Sequence, residues 1–481
     1  MSYDPFFAPR CQASPERPAL VWWEGGARHL LTWAGLDEYA QRVALWLWER
    51  GARSGDVLGA YLENSLFSVG LILATVRLGV RLVVFHRRLS PAELEWQVRT
   101  ARPRWLIRDD RPGTGKLAGS RWIGWDGMLP QPAALPEADT AASFTFFTSG
   151  TSGYPKAVTL SLANLKAAAS ASSQRLNTRP GERWLLCLPL YHIGGLSILF
   201  RAAWDGMTVV FQPRFEAAET ARLVREEAVN LISLVPTMLY RLMPWWEQGE
   251  AGAVLRLILL GGSATDPSLL QRALEAHLPV ALTYGLTEAA SQVCTALPEL
   301  VYRKPGSVGK PLPGVEVEVR NAQGERCAPG EIGEIWVRGP AVASGYEGQP
   351  PFPDGVLQTG DLGYLDEEGD LWVLARRSDL ILSGGENVYP AEVERVLMEY
   401  PGVQEVCAFG LPDAEWGQQV AAAVVAGGEV TAEALIHHAR QFLAGYKVPR
   451  RIVFVPELPR TPSGKVKRHV LAEWVKEGRI P

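Results

Sequence analysis

Short apolar runs alternate with amphipathic segments through most of the chain. The runs 56–62, 81–85 and 183–188 have the length and residue content of buried strands. Between the first strands, segments 33–47 and 65–79 carry their apolar residues at helical spacing. Strands that alternate with helices in this way predict mostly parallel sheets whose faces are covered by helices.

The pattern changes after residue 306. Short strands at 315–319 and 333–338, separated by Gly and Pro turns, predict a small β subdomain. A polar, charged stretch at 376–379 then separates a finished strand from a new apolar run. We therefore predict an α/β protein with two domains. A large N-terminal domain of mostly parallel sheets spans residues 1–377, and a small, mobile α+β domain spans residues 378–481.

Composition narrows the range of functions. The 481 residues carry a formal net charge of -4 without a dense basic stripe in the large domain, so we expect no binding to nucleic acid. The five cysteines are scattered and form no Cys-x-x-Cys pair, which argues against a disulfide framework or zinc site and favours the cytoplasm. No apolar run reaches the roughly 20 residues that a membrane span needs. The sequence leaves the oligomeric state open, a homodimer included.

The segment from Thr148 to Lys156 follows an apolar strand and contains mostly small polar residues. Its glycines let the backbone approach a ligand, its hydroxyls donate hydrogen bonds, and its lysine adds a positive charge, which together suit a nucleotide triphosphate. A flexible surface loop is the alternative, because loops of small residues are common. The spacing is not that of a P-loop, so phosphate binding here would use another geometry. The residues concerned are Thr148, Ser149, Gly150, Thr151, Ser152, Gly153 and Lys156.

Two further motifs follow predicted strands. Gly262, Ser263 and Ala264 end an apolar run, where the backbone can lie against a flat ring; an ordinary tight turn remains open. Tyr284 and Gly285 precede Thr287 and Glu288. This combination suits base stacking, phosphate binding and a divalent cation, because Mg²⁺ needs only one or two carboxylates beside phosphate oxygens. Thr287 and Glu288 also suit a plain helix cap.

Three isolated residues are also candidates for ligand contact. His192 stands beside two glycines at the end of a strand, where open α/β sheets bind ligands, although a structural histidine is as good an explanation. Asp361 lies between two glycines. Its carboxylate could accept hydrogen bonds from the hydroxyls of a ribose, or the residue could belong to a simple turn. Lys465 is at the tip of a turn held by Pro and Gly; a solvated basic tail is the alternative.

Taken in order, these motifs resemble the adenylate-forming superfamily of acyl-CoA synthetases, peptide-synthetase adenylation domains and luciferases. The resemblance runs through Thr-Ser-Gly-Thr-Ser-Gly-Tyr-Pro-Lys, Tyr-Gly-Leu-Thr-Glu, Thr-Gly-Asp, the Arg-bearing hinge and Pro-Ser-Gly-Lys, and it covers nearly the whole chain. It implies a large domain, a mobile small domain and two half-reactions. A carboxylate attacks the α-phosphate of MgATP, and the thiol of CoA then attacks the acyl-AMP.

The resemblance also implies roles for the residues. The loop 148–156 would hold the β- and γ-phosphates, Thr287 the α-phosphate, and Glu288 with Thr151 the Mg²⁺. Adenine would lie between Gly262, Ser263, Ala264 and Tyr284 beside Gly285, with Asp361 and Arg376 on the ribose. Lys465 would reach the α-phosphate and the substrate carboxylate. The small domain would rotate about Ser378 and bring residues 383–386 to the site for thioester formation.

Two positions depart from the pattern of the superfamily. Ala157 stands where many relatives have Gly, which is a mild change. Ser378 stands where many have Asp or Lys, which leaves the identity of the pivot residue open.

A narrower resemblance concerns the acyl group. Pro-Leu-Tyr-His-Ile-Gly-Gly-Leu-Ser with Arg201 beyond it, and Thr-Glu-Ala-Ala-Ser-Gln, are similar to the 2-succinylbenzoate-CoA ligases of menaquinone synthesis. That substrate has a second carboxylate, for which Arg201 and Ser291 would be partners, while His192 would line the pocket. The alternatives are a helix-surface role for Arg201, another aryl- or acyl-CoA ligase, and a non-catalytic nucleotide-binding relative.

Overall fold

The computed structural model describes most of the chain, and the following account is limited to that part. The described residues are 6–86, 89–108, 116–117, 119–125, 127–148, 155–247, 255–262, 265, 267–375, 381–388, 390–459, 466 and 468–480. Among them, no helix is both long enough and apolar enough to cross a bilayer.

The chain divides into two compact units. The first comprises residues 1–87, 101–146 and 157–374, and the second comprises 88–100, 147–156 and 375–481. The large unit built on sheets and the smaller C-terminal unit confirm the predicted α/β fold class. The predicted domain boundary after residue 377 lies outside the described residues and stays a prediction.

A nine-stranded sheet forms much of the first unit. Its central strands β1, β11, β10, β12, β13 and β14 pair in parallel, and β2, β15 and β16 add antiparallel edges. The strands are β1 (Pro18–Glu24), β2 (Ala27–Thr32), β10 (Arg183–Leu186), β11 (Thr208–Phe211), β12 (Leu231–Leu234), β13 (Leu257–Leu260), β14 (Val280–Leu286), β15 (Ser291–Ala296) and β16 (Lys310–Pro311).

A seven-stranded sheet has the order β6-β7-β5-β3-β4-β8-β9, and its strands β7, β5, β3, β4 and β8 are parallel. Its strands are β3 (Val57–Tyr61), β4 (Arg81–Phe85), β5 (Trp105–Arg108), β6 (Lys116–Leu117), β7 (Ser120–Gly124), β8 (Ser143–Thr148) and β9 (Lys156–Ser161). Residues 109–139 are rich in Pro, Gly and Ala without a clear period, a composition that predicts an irregular connection. Strands β6 and β7 within this range therefore differ from the prediction.

Helices of the first unit cover these sheets, and one apolar core contains side chains from both sheets and from α2, α3, α5 and α6. These helices are α1 (Phe7–Ala13), α2 (Trp33–Glu49), α3 (Leu66–Leu78), α5 (Leu162–Leu176), α6 (Ile193–Asp205), α7 (Ala217–Glu226), α8 (Pro236–Trp246), α9 (Pro267–Glu275) and α10 (Pro298–Arg303). The predicted β subdomain is a four-stranded sheet of β17 (Glu316–Arg320), β18 (Gly333–Arg338), β19 (Val356–Leu365) and β20 (Leu371–Ala375).

The ends of the helices follow from local chemistry. Ser65 caps α3 by accepting a hydrogen bond from the Ser68 backbone N–H, and Gly79 ends the helix at a φ of 65°. Ser161 and Asn164 form a capping box at the start of α5. That box begins the helix directly after strand β9, so each cap marks a boundary that the apolar pattern alone leaves open.

The second unit is α+β. Its sheet has the order β22-β21-β24-β23, and β25 pairs in parallel with β24. Its strands are β21 (Ile381–Ser383), β22 (Glu386–Val388), β23 (Val403–Asp413), β24 (Gly417–Ala426) and β25 (Arg451–Phe454), and its helices are α4 (Pro91–Ala101, whose last residue belongs to the first unit), α11 (Pro390–Met398), α12 (Ala432–Phe442) and α13 (Arg468–Lys476). Within this unit the buried Lys447 ammonium contacts the Glu93 and Glu392 carboxylates at 2.8 and 2.7 Å.

Candidate active site

Four of the candidate residues of the first unit follow the carboxyl ends of parallel strands. Gly262 follows β13 with a φ of 83°, and His192 follows β10 at the start of α6. Thr287 and Glu288 follow β14 in a short 3-10 turn. The side chain of Thr283 lies so close to Gly261 that a Cβ there would be 2.6 Å from Thr283 Cγ2. Gly261 therefore allows close packing of neighbouring strands, and Gly262 after it forms the turn.

Tyr284 and Asp361 form a buried pair. The Tyr284 hydroxyl donates a hydrogen bond of 2.6 Å to Asp361 Oδ2, and both side chains are about 4% exposed. The Asp361 backbone N–H donates to Thr359 Oγ1, which itself donates to the Ile335 carbonyl. Sequence reasoning assigned Tyr284 and Asp361 separately, to adenine and to ribose. The structure brings them together across β14 and β19.

Glu288 is held by a residue that no motif indicated. The Tyr346 hydroxyl donates a hydrogen bond of 2.9 Å to Glu288 Oε1. The Ala343 backbone N–H also donates to the Glu288 carbonyl at 2.8 Å. Both the carboxylate and the backbone of Glu288 are therefore fixed by the segment 343–346, which follows the β subdomain strand β18.

Gly285 and Ser291 lie on paired strands next to Glu288. A Cβ on Gly285 would come within 1.5 Å of the Ser291 carbonyl oxygen, so only glycine fits there. Ser291 has a φ of 99° and Ala290 a φ of 52°, which is uncommon backbone geometry for residues with a side chain. Such strain is typical of functional turns. Gly285 therefore shapes the turn that presents Thr287 and Glu288.

His192 belongs to a cluster of three rings. The ring centroids of His192 and Tyr191 are 4.9 Å apart, those of His86 and Tyr191 4.4 Å, and those of His86 and His192 5.3 Å. His86 follows β4, so the cluster joins the carboxyl ends of strands from both large sheets. Sequence reasoning found His192 but neither of its two neighbours.

The segment that precedes His192 is held by a buried amide. Asn64 Nδ2 donates to the Leu188 carbonyl at 2.9 Å and to the Gln212 carbonyl at 3.3 Å, and Asn64 Oδ1 accepts from the Leu190 N–H at 2.8 Å. A Cβ on Gly195 would lie 2.2 Å from the Pro189 carbonyl oxygen. One amide side chain and one glycine therefore fix how the chain passes from β10 into α6.

Arg201 is a buried cation on α6. It is 2% exposed, and its guanidinium carbon lies 5.6 Å from the ring centroid of Trp184, whose indole N–H donates to Ser233 Oγ at 3.1 Å. Within the described part of the chain, Nε and Nη2 of Arg201 have no hydrogen-bond acceptor. Burial lowers the pKa of the Arg201 guanidinium from 12.5 to about 9. The guanidinium is therefore a buried cation with two N–H donors that are unsatisfied by the described residues.

The residues at the two ends of the phosphate loop candidate belong to the second unit. Thr148 ends β8, Lys156 begins β9, and the Thr148 hydroxyl donates to the Lys156 carbonyl at 3.4 Å. The other predicted site residues lie outside the described residues: Ser149, Gly150, Thr151, Ser152, Gly153, Ser263, Ala264, Arg376 and Lys465.

Comparison with known proteins identifies the family of the chain. The family model for the AMP-binding enzyme matches residues 7–347, and that for the AMP-binding enzyme C-terminal domain matches residues 392–465. A 2-succinylbenzoate–CoA ligase from Bacillus licheniformis is 39% identical over 98% of this chain and 100% of its own length.

Two solved structures of o-succinylbenzoate CoA synthetase from Bacillus subtilis are similar over nearly the whole chain. A double mutant bound to the product analogue OSB-NCoA has a TM-score of 0.90 at 36% identity and covers 98% of both chains. The complex with ATP and magnesium ion has a TM-score of 0.71 at 35% identity, covering 97% of this chain and 98% of that one. The chain therefore belongs to the AMP-binding enzyme family and, within it, to the family of the 2-succinylbenzoate–CoA ligases.

Proposed function

We propose that this protein is an ATP-dependent, AMP-forming ligase that joins 2-succinylbenzoate to coenzyme A in menaquinone biosynthesis. In the first half-reaction a substrate carboxylate attacks the α-phosphorus of ATP, forming an acyl-AMP and releasing pyrophosphate. In the second, the CoA thiol attacks the acyl carbon, loses its proton and releases AMP. The relatives at 36–39% identity over nearly full length support this function.

Arg201 is the observation that carries the choice of acid. One carboxylate of 2-succinylbenzoate is consumed in the acyl-AMP, and the other remains an anion that must be bound. A buried guanidinium whose Nε and Nη2 lack acceptors among the described residues provides two N–H donors for it. Ser291 and His192 are the further residues that we assign to the acyl substrate, through the hydroxyl of Ser291 and the ring cluster of His192.

We assign the phosphate groups and the metal by donor chemistry. The hydroxyl and amide donors of 148–156 suit the β- and γ-phosphates, and Thr287 suits the α-phosphate. The Glu288 carboxylate fits Mg²⁺, because it is a hard oxygen ligand already oriented by the Tyr346 hydroxyl. Thr151 is its proposed companion. Bound Mg²⁺ neutralises charge on the phosphates.

We assign adenosine to the residues around the pair Tyr284 and Asp361. An ordered carboxylate is a suitable acceptor for ribose hydroxyls, and Arg376 is assigned to the same hydroxyls. Gly285 and the backbone at Gly262, Ser263 and Ala264 would flank the adenine ring. Lys465 is assigned as the catalytic cation that approaches the α-phosphate and the attacking carboxylate.

Partners and location are proposed with the function. The substrates are a small carboxylic acid, ATP and CoA, and we propose a cytoplasmic enzyme because its co-substrates are made and used there. A homodimer is compatible with this function and is tested by measuring the mass in solution.

An exchange assay tests the proposed function. The protein is incubated with ATP, Mg²⁺, labelled pyrophosphate and one acid at a time from a panel of aryl and acyl acids that includes 2-succinylbenzoate and benzoate. We expect exchange with 2-succinylbenzoate and formation of its CoA thioester when CoA is added. Exchange with a different acid alone would indicate another acyl-CoA ligase, and ATP binding without exchange would indicate a non-catalytic relative.

A further inference from the structure

Tyr346 connects two parts of the first unit that the sequence motifs treat separately. Its hydroxyl donates to Glu288 Oε1, and its backbone forms an antiparallel bridge with Val158 of β9. The strand β9 begins at Lys156, the last residue of the loop candidate 148–156. Tyr346 is therefore attached through its backbone to the strand at the end of the phosphate loop candidate and through its side chain to the metal-binding candidate.

The backbone around Tyr346 is anchored by its neighbour. The Glu347 N–H donates to the Ala157 carbonyl at 2.8 Å, and the Thr159 hydroxyl donates to Glu347 Oε1 at 2.5 Å. The Arg81 guanidinium forms an ion pair with the same carboxylate. These contacts hold the segment against β4 and β9, so the position of the Tyr346 hydroxyl is fixed before any ligand arrives.

Packing fixes the ring itself. Tyr346 is half-buried against the main apolar core, and its ring lies edge-on to Phe352 with centroids 5.3 Å apart. A phenylalanine could make the same apolar contacts. The hydroxyl is therefore used for Glu288 rather than for packing, which separates its role from that of a core aromatic residue.

We propose that Tyr346 is a positioning residue for the Mg²⁺ ligand Glu288. This inference rests on the proposed function, in which Glu288 holds Mg²⁺. A carboxylate on a surface turn has several rotamers, and only some direct an oxygen at the ion. A donor that holds one oxygen reduces this freedom in advance, as the outer hydrogen-bond partners of metal ligands do in other proteins.

Binding of ATP without turnover tests the inference. The affinity for ATP is measured calorimetrically in EDTA and at rising Mg²⁺, with no acid or CoA present. We expect Tyr346→Phe to need about tenfold more Mg²⁺ for the same gain in ATP affinity, while its affinity in EDTA is unchanged. We expect Mg²⁺ to cause no increase in ATP affinity in Glu288→Gln.

Two further tyrosine-to-phenylalanine variants are the controls. Tyr302→Phe removes a hydroxyl that donates to the Leu274 carbonyl at 3.2 Å on an exposed residue, and should leave both affinities unchanged. Tyr284→Phe removes the bond to Asp361 and should weaken ATP binding equally with and without Mg²⁺. A thermal melt of each variant without ligand shows whether the fold is kept.

The possible failures are distinguishable. Suppose that Tyr346→Phe needs no more Mg²⁺ than the wild type for the same increase in ATP affinity, while Glu288→Gln shows no increase. That result would overturn the role of Tyr346 alone. If Mg²⁺ increases the ATP affinity of Glu288→Gln as much as that of the wild type, the assignment of Glu288 to Mg²⁺ is overturned, and this inference with it. The choice of acid is tested separately by the exchange assay, which does not depend on either variant.

Discussion

At the scale of single residues, the Arg201 guanidinium is a buried charge whose Nε and Nη2 have no acceptor among the described residues, and we expect it to lower the free energy of unfolding. Replacing a buried charged group by an apolar one of similar volume often raises the free energy of unfolding, by about 1–4 kcal/mol. We therefore expect Arg201→Met to be more stable than the wild type. The same variant should raise KM for 2-succinylbenzoate about 30-fold or more, the equivalent of about 2 kcal/mol, and leave KM for ATP unchanged.

Thermal and denaturant unfolding check this prediction beside the kinetics. Arg183→Met is a matched control, since Arg183 Nη1 donates to the Glu227 carboxylate and to the Glu227 carbonyl at 2.8 and 2.7 Å. That variant loses a paired cation and should be less stable than the wild type. If Arg201→Met is also destabilised and its KM for the acid is unchanged, the guanidinium has a structural role only.

The titration of Arg201 predicts a pH dependence. Burial lowers its pKa to about 9, so the guanidinium is a cation below that pH and loses its proton as the pH rises through it. The value of kcat/KM for 2-succinylbenzoate in pyrophosphate exchange should therefore fall above about pH 9. The exchange assay omits CoA, which keeps the thiol from contributing. Arg201→Met should show no such step, and a step of equal size in the variant would assign it to another group.

At the scale of elements, the side-chain amide of Asn64 links the chain segments that follow neighbouring strands by hydrogen bonds. Asn64→Ala leaves the Leu188 carbonyl, the Gln212 carbonyl and the Leu190 N–H without this partner in a buried region. We expect the free energy of unfolding to fall by about 2–3 kcal/mol. KM for the acid should rise because the segment before His192 loses its support.

Urea unfolding and exchange kinetics measure both effects. Gln41→Ala is the control, because Gln41 Nε2 donates to the Ala133 carbonyl at 2.9 Å in an exposed hydrogen bond. Its effect on the free energy of unfolding should stay within about 0.5 kcal/mol. If the free energy of unfolding falls no further in Asn64→Ala than in Gln41→Ala, Asn64 does not support the segment before His192.

The sequence predicts elements well where the pattern is local. The strand 81–85 and the helix 65–79 agree with β4 and α3 to within a residue, because apolar spacing and caps are both present. The segment 160–176 has a composition compatible with a helix, and α5 lies within it, whereas the sequence pattern predicted no strand at the position of β9. Strand β7 lies in a Pro- and Gly-rich region and owes its form to parallel pairing with β5. Such pairing is a tertiary effect that local composition does not encode.

In the candidate site, too, some residues were predicted from local sequence and others depend on contacts between distant segments. Residue type and spacing singled out Glu288 and Asp361 as candidates, and the narrower resemblance singled out Arg201. Tyr346 and Asn64 were not predicted, since their partners lie 58 and 124 residues away in the chain. A lone tyrosine or asparagine has no pattern around it that indicates such a contact. These supporting residues emerge only when the fold brings the segments together.

At the scale of the whole molecule, we propose that one charge acts in only the first of the two half-reactions. Lys465 lies on the C-terminal part of the chain and outside the described residues, and its role follows from the resemblance. A cation that stabilises the charge developing on the α-phosphate is needed for adenylation but not for attack of the thiol. We expect Lys465→Ala to lower the rate of pyrophosphate exchange by about 100-fold or more.

Separate assays of the two steps check this prediction. Thioester formation from preformed succinylbenzoyl-AMP and CoA should stay near the wild-type rate in Lys465→Ala. Lys476→Ala removes an equal charge from the exposed end of α13 and should leave both rates unchanged. If Lys465→Ala lowers the rates of both half-reactions equally, this lysine acts in both steps or stabilises the fold. A charge that acts in adenylation alone would then have to come from another residue.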